Sequence, residues 1–413
     1  MLRSLPCLRW LLALVLLLAL RPPTRAQQPG YRFSQDILAQ WQRDTLWANY
    51  QNYAVEFSRI GDYPRTLAAQ AAFEQGRRSP DTNIRFDSAY FRRFRAVSAG
   101  PELLRRTAAR QLVILNEAHY QPRNRVFTRS LLAGLYRQGF RYLCLEDLAN
   151  GPAADTGLNQ RRYPLHTTGF YATEPQYGDL ERHALALGFR LVPYEHVPTE
   201  PLPDPMARMM ARERGQAQNI QQILARDPQA RIVVHVGYGH LVEQLAGNGQ
   251  FGFMAAFLKK STGLDPFTIH QVDLLEHADP ALDNAYRALM RASEPSVFID
   301  AQDNLFNSAQ NPEKWDASVY FPATTYEHGR PTWLRQGTGR RCFLVPSARI
   351  TVAFPCRVEA YHAAEDATRA VPADVVELQN VDDDRALVLA KGRYTLVLHD
   401  AHGGRQLLAA TVP

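Results

Sequence analysis

The sequence predicts an α/β fold: a mostly parallel sheet with flanking helices, preceded by a helical N-terminal layer and followed by a small all-β, sandwich-like module. Three observations carry this reading. From about residue 101 to 335, short apolar runs alternate with amphipathic helical stretches, the pattern of a parallel sheet. Gly139, Gly188 and Gly263 each fall just after a helical stretch, where left-handed helix-ending residues sit. Beyond about 336 the chain breaks into short strands between Gly, Pro and Asp turns.

Residues 1–26 read as a secretory signal peptide. Arg3 and Arg9 precede the apolar stretch 10–20, and Ala26 stands before the polar Gln27-Gln28. Eleven apolar residues fall short of the roughly 20 needed to span a bilayer. A secreted or periplasmic location is expected, with no stable membrane span once the signal is removed. The formal charge of +6 falls to +2 without the four arginines of this segment. The remaining arginines alternate with acids and form no basic stripe, so no nucleic-acid partner is expected.

Residues 27–100 carry a helical, aromatic-rich pattern (Trp41, Trp47, Tyr50, Tyr53, Phe57, Phe73, Tyr90, Phe91, Phe94) broken at Pro64 and at a 79–81 turn. It reads as a layer packed on the next domain. In that domain, 101–335, strands are expected at 112–115, 142–145, 191–193, 232–236, 267–272, 297–300 and 318–321. Helices are expected at 128–138, 179–187, 206–225 and 254–260. The module at 336–413 predicts strands at 342–345, 349–354, 357–361, 375–378, 386–389, 394–398 and 406–412. Its turn histidines, His399 and His402, read as inert. Cys342 and Cys356 could pair in an oxidising compartment, whereas Cys144 sits within a strand as a small core residue.

The residues just past each strand carry the chemistry. After 112–115 come Glu117 and His119; after 142–145, Glu146 and Asp147; after 191–193, Tyr194, Glu195 and His196; after 232–236, Gly237-Tyr238-Gly239-His240. The carboxyl ends of parallel strands form one edge, where ligands bind in open sheets. Glu117, His119, Glu146 and His240 are the expected catalytic residues, and Arg123, Glu195, His196, Arg212 and Tyr238 the expected substrate contacts. Arg125 is weighed with Arg123 as an oxyanion or carboxylate ligand, and His235 reads as a core histidine. The chain has no GxSxG elbow, no glycine-rich phosphate loop and no activated cysteine. Glutamate with histidine suits activation of water, with or without Zn²⁺ or Mn²⁺ at Glu117, His119 and His240. Glu117, among like charges, is expected to contribute little to stability.

The stretch Asn116-Glu117-Ala118-His119, the later Gly237-Tyr238-Gly239-His240 and the helix motif Arg212-Glu213…Ala217…Asn219 together resemble the erythromycin esterase, ChaN-like haem-uptake, Tiki and TraB group. Asn116 replaces the usual glycine of the first motif, and Gln216 an apolar residue of the helix motif. The resemblance implies an ester or amide hydrolase acting on a small-molecule or peptide substrate. It equally implies a non-catalytic haem- or metal-binding uptake protein, with Tyr194, Tyr238, His196 and His240 as iron ligands.

Overall fold

The computed structural model describes residues 30–77 and 86–413. The expected signal peptide and the 79–81 turn lie outside the described residues. Three helices open the fold: α1 (Ser34–Arg43), α2 (Tyr50–Arg59) and α3 (Tyr63–Arg77). They bury Ile37, Tyr53, Phe57 and Tyr63 in the same apolar cluster as Val113, Leu143 and Ile269 of the central sheet. The N-terminal aromatics are therefore core that covers one face of the sheet.

A strand β1 (Arg95–Ser98) and helix α4 (Ala99–Thr107) lead into β2 (Leu112–Glu117), β3 (Tyr142–Leu145), β4 (Arg190–Pro193), β5 (Ile232–Gly237), β6 (Phe267–His270), β7 (Ser296–Ile299) and β8 (Ala317–Ser318). Six of these form one parallel sheet in the order β4-β3-β5-β2-β6-β8. The 297–300 run, expected in that sheet, instead pairs antiparallel with β1 as β7. Phe298 is drawn into a separate aromatic cluster with Phe91, Tyr286 and Phe306. The expected all-helical character of 27–100 fails at β1 for the same reason.

The connecting helices are α5 (Pro122–Arg137), α6 (Pro175–Leu187), α7 (Pro205–Arg226) and α8 (Met254–Thr262). Strand residues alternate between faces. Val113, Leu115, Leu143 and Val233 pack with Leu131, Leu135 and Leu180 of α5 and α6. Leu112, Ile114, Cys144 and Val234 pack with Met210, Ile220 and Leu258 of α7 and α8. Cover on both faces explains strands that read as unbroken apolar runs. Gly139, Gly188 and Gly263 adopt φ of +97°, +102° and +71° just past their helices. The connections of β3 and β5, neighbours in the sheet, leave to opposite faces, and a crevice opens beyond their carboxyl ends.

A short hairpin, β9 (Tyr326–Glu327) and β10 (Arg330–Pro331), precedes the C-terminal module. That module holds β11 (Arg341–Phe343), β12 (Cys356–His362), β13 (Asp374–Leu378), β14 (Leu387–Leu389), β15 (Gly392–Asp400) and β16 (Arg405–Val412). The sheet β13-β12-β15-β16 is antiparallel, and the β11–β14 ribbon packs against it through Leu387 and Leu389. The strand expected at 349–354 does not form. Its amides turn to side chains instead: Thr351 donates to Gln406 (2.8 Å) and Ala353 to Asp400 (3.3 Å). Cys342 pairs with Val388 in one sheet and Cys356 with Leu378 and Asp400 in another, and both are free thiols. The pairing open to them in sequence is not made, and the two residues sit on strands of different sheets. No described helix is long and apolar enough to cross a membrane.

Candidate active site

β2 ends at Glu117, and Pro122 starts α5 four residues after Ala118, where its missing N–H is no loss. The first turn of α5 therefore doubles back over the strand end. Arg125 grips Glu117 through both carboxylate oxygens, each at 2.7 Å, and reaches Glu174 with its remaining nitrogen at 2.8 Å. All three side chains are buried. Glu174 also caps α6, accepting from the amides of Gln176 and Tyr177. Burial alone would raise the Glu117 carboxyl; the Arg125 charge and hydrogen bonds, with those from His119 and His235, hold it well below the usual carboxylate range.

Glu117 supports two imidazoles. Nδ1 of His119 lies 3.0 Å from Oε1, and Nε2 of His235 lies 2.9 Å from Oε2. Tyr171 stacks on His119 with centroids 4.1 Å apart and planes 14° apart, and Tyr238 meets the same ring edge-on at 5.1 Å. With Nδ1 turned to the carboxylate, Nε2 of His119 faces Gly237. A Cβ built on Gly237 would sit 2.5 Å from that nitrogen and 3.1 Å from Glu146 Oε2.

Glu146 accepts from the Gly237 amide and from Arg212 at 2.5 Å. Burial would raise its carboxyl, but His240, Arg212 and His119 together lower it to about 2. Arg212, from α7, also binds both oxygens of Glu195, at 3.0 and 2.5 Å, and contacts His240 Nε2 at 3.0 Å. Behind it, Nδ1 of His240 lies 2.8 Å from the Glu213 carboxylate, which in turn accepts from the first amide of α8, Met254. In the neutral ring Nε2 accepts from Arg212; in the imidazolium its proton turns to Glu146, 3.5 Å away. Burial opposes that charge, but Glu213 and Glu146 outweigh it and raise the His240 pKa.

The cavity beside these groups measures about 660 Å³ and is lined as well by Leu148, Ala149, Phe170 and Tyr171. Glu117, His119, Glu146, Glu195 and Arg212 all reach it; Glu117 contacts His119 at 3.0 Å, Glu146 lies 3.5 Å from His240, and Gly237 stands between the two pairs. Asp147, beside Glu146, accepts from the amides of Tyr171 and Ala172 and so fixes the segment that stacks Tyr171 on His119. Burial pushes its carboxyl up to about 7 despite those bonds.

Three expected contacts lie elsewhere. Arg123 points away, donating to the carbonyl of Pro322 at 2.6 Å, because two residues along α5 turn it to a different side from Arg125. His196 packs on Gly215 of α7, since alternation after β4 sends Glu195 inward instead. Tyr238 touches His119, but its hydroxyl is taken by Gln51. His240 is buried behind Arg212 rather than in the cavity. His235 is buried, as expected of a core histidine, yet it belongs to the site. Arg123 and Arg125 are 4% and 0% exposed, so neither is solvated.

A divalent cation does not fit this donor set. Each oxygen of Glu117 is already held by an Arg125 nitrogen and by His119 or His235, and Nε2 of His240 faces Arg212, which leaves Nε2 of His119 alone of the expected ligands. The Arg212 guanidinium already supplies the positive charge between Glu146 and His240. Among the described residues no group of three or more His, Cys, Asp or Glu side chains is placed to hold a metal ion. The four expected iron ligands are likewise dispersed: Tyr194 is fully buried with its hydroxyl 3.4 Å from the carbonyl of His235, Tyr238 is held by Gln51, His196 lies on α7 and His240 lies behind Arg212.

No family profile matches the chain, and no curated protein does. Among solved structures, the type III effector HopBA1 aligns over 59% of this chain and all of its own, with 14% identity and a TM-score of 0.32.

Proposed function

We propose that this edge is the active site of a hydrolase that activates water against an ester or amide, with His119 as the general base. The carrying observation is the Arg125–Glu117–His119 chain. A carboxylate held this far below its usual range does not itself take up a proton near neutral pH. It holds the imidazole with Nδ1–H donating, which leaves Nε2 as the acceptor. Glu117 is thus a positioning residue and His119 the catalytic one.

In this reading water sits between His119 Nε2 and Glu146. His119 takes its proton as the oxygen attacks the carbonyl carbon, and the C–O or C–N bond then breaks with return of the proton to the leaving group. Arg212 offsets the charge that develops on the carbonyl oxygen. Phe170, Leu148 and Ala149 supply an apolar wall for the acyl or alcohol part of a small-molecule or peptide substrate. Membership of the erythromycin esterase-like group and a secreted or periplasmic setting belong to the same proposal, resting on the motif order and on the sequence of residues 1–26.

The test is turnover of a panel of esters and peptides by the wild type and by His119→Gln. The expected result is hydrolysis that falls about 10²–10⁴-fold in the variant, the scale of a lost general base. A folded wild type that hydrolyses nothing on the panel, or a variant as active as the wild type, would sink the reading.

A further inference from the structure

We propose that a second cavity, where the first turns of α4 and α5 meet, binds a small carboxylate with an apolar body. The cavity measures about 140 Å³ and includes Arg123, Phe127, Phe321, Trp333 and Gly100 in its lining. Its defining feature is Arg123. This arginine is 4% exposed, yet among the described residues every polar contact of its guanidinium runs through Nη1. Nε is buried without a hydrogen-bond partner. The edge formed by Nε and Nη2 is the one that receives a carboxylate side-on through two parallel bonds.

Glu276 pairs with this arginine through Nη1 at 3.7 Å while also accepting from the Tyr63 hydroxyl and the Thr324 amide, so among the described residues the Nε–Nη2 edge meets no carboxylate. Glu294 is the acid at the cavity's rim, but it is exposed and therefore screened. A second donor lies at the start of α4. Ser98 makes no side-chain cap there, Ala99 donates to the carbonyl of Pro295 (2.9 Å) and Pro101 has no N–H, so Gly100 is the lining residue of this turn whose amide is left for a ligand. Gly100 has nothing within 4 Å of a would-be Cβ, so this side of the cavity is open.

Size and lining decide the ligand's other half. The volume is close to that of an engineered cavity of about 150 Å³ that takes up benzene. Phe127, Phe321 and Trp333 present apolar faces, with the Arg123 guanidinium itself lying 5.1 Å over the Phe321 ring. A short aliphatic acid or an aromatic acid of benzoate size matches both halves; a phosphate ion has no body to fill the aromatic side. Nothing in this assignment depends on the hydrolase reading.

Calorimetric titration of the full chain with benzoate, butyrate and benzamide tests it. Benzoate and butyrate are expected to bind in about the millimolar range, as such small ligands do, with benzamide at least about tenfold weaker. Arg123→Gln and Gly100→Leu should each weaken benzoate by at least about tenfold, the first by removing the fork and the second by filling the space. The Cβ added by Gly100→Leu meets nothing within 4 Å, so the backbone there tolerates a side chain and the variant keeps the test valid if Arg123→Gln fails to fold. His119→Gln should leave benzoate binding unchanged, which separates this cavity from the hydrolase site. Equal affinity for benzoate and benzamide overturns the proposal, as does undiminished benzoate binding in folded Gly100→Leu, or binding abolished by His119→Gln.

Discussion

His119 lies so close to the α-carbon of Gly237 that a methyl group there would sit 2.4 Å from Cε1 and 2.5 Å from Nε2 of the ring. The imidazole cannot swing away, because Tyr171 is stacked on one face and Tyr238 stands at its edge. Gly237→Ala should therefore displace the base while leaving β5 intact. The expected outcome is a loss of about 10²-fold in kcat together with a lowered melting temperature, the mark of about 1–3 kcal/mol of overpacking, read by steady-state kinetics and calorimetry.

Glu117→Gln should cost far more stability than an active-site acid facing like charges would. It leaves Arg125, 0% exposed, with Glu174 as its one remaining carboxylate. Breaking a buried pair from one side costs about 3–5 kcal/mol. Urea denaturation of the variant measures this directly, and a change below about 1 kcal/mol would mean that the Arg125 clamp is not formed in solution.

Arg212→Lys retains the charge but loses the fork that holds Glu195 through two oxygens while reaching Glu146 and His240. An ammonium cannot satisfy all three partners. Activity should fall about 10–10²-fold, chiefly in kcat, while the protein stays folded. Wild-type kcat in this variant would show that the guanidinium plays no part in the reaction.

The pH dependence of stability should carry two opposite signatures. Asp147, raised to about 7 by burial, keeps a proton that the unfolded chain releases near pH 4. Its contribution is fully present below that pH and is lost as pH rises through 7. Glu146, lowered to about 2, contributes stability above about pH 4.3 that is lost as pH falls toward 2. Urea midpoints measured at pH 5 and pH 8 should drop for the wild type by about 1–3 kcal/mol equivalent. In Asp147→Asn the drop should be smaller, and an unchanged slope would remove Asp147 as its source.

The strands of the sheet were legible because each is an apolar run covered on both faces, and the acids and histidines stood directly after them. Choosing between neighbours was harder. Arg123 and Arg125 look alike in sequence, and only the phase of α5 over the end of β2 selects Arg125. His235 shares a strand face with Val233, but its closeness to Glu117 depends on the β2–β5 register, which pairs Leu115 with His235 and Glu117 with Gly237. Tyr171 and Glu174 come from an irregular segment between β3 and α6 whose sequence has no period to read. The departure of β7 into its own pair with β1 reflects Phe298 finding Phe91 and Phe306, a choice between two apolar surfaces that local pattern cannot make.

The same irregular segment ties the catalytic edge to the far end of the chain. His166 donates its amide to the carbonyl of Arg369, Val371 donates back to Pro164, and Leu165 bridges Ala370. The Arg182–Glu365 pair adds a fixed ionic tie from α6 to the same loop. During synthesis the strands bearing Glu117, Glu146 and His240 emerge well before these anchors exist. A nascent chain stopped short of Val371 would hold the acids and imidazoles of the strand ends, and the 164–174 segment would be tied at Asp147, Arg59 and Tyr31 but loose at residues 164–166, so full catalytic competence is expected to come late, with the last hundred residues, rather than with the sheet that carries the chemistry.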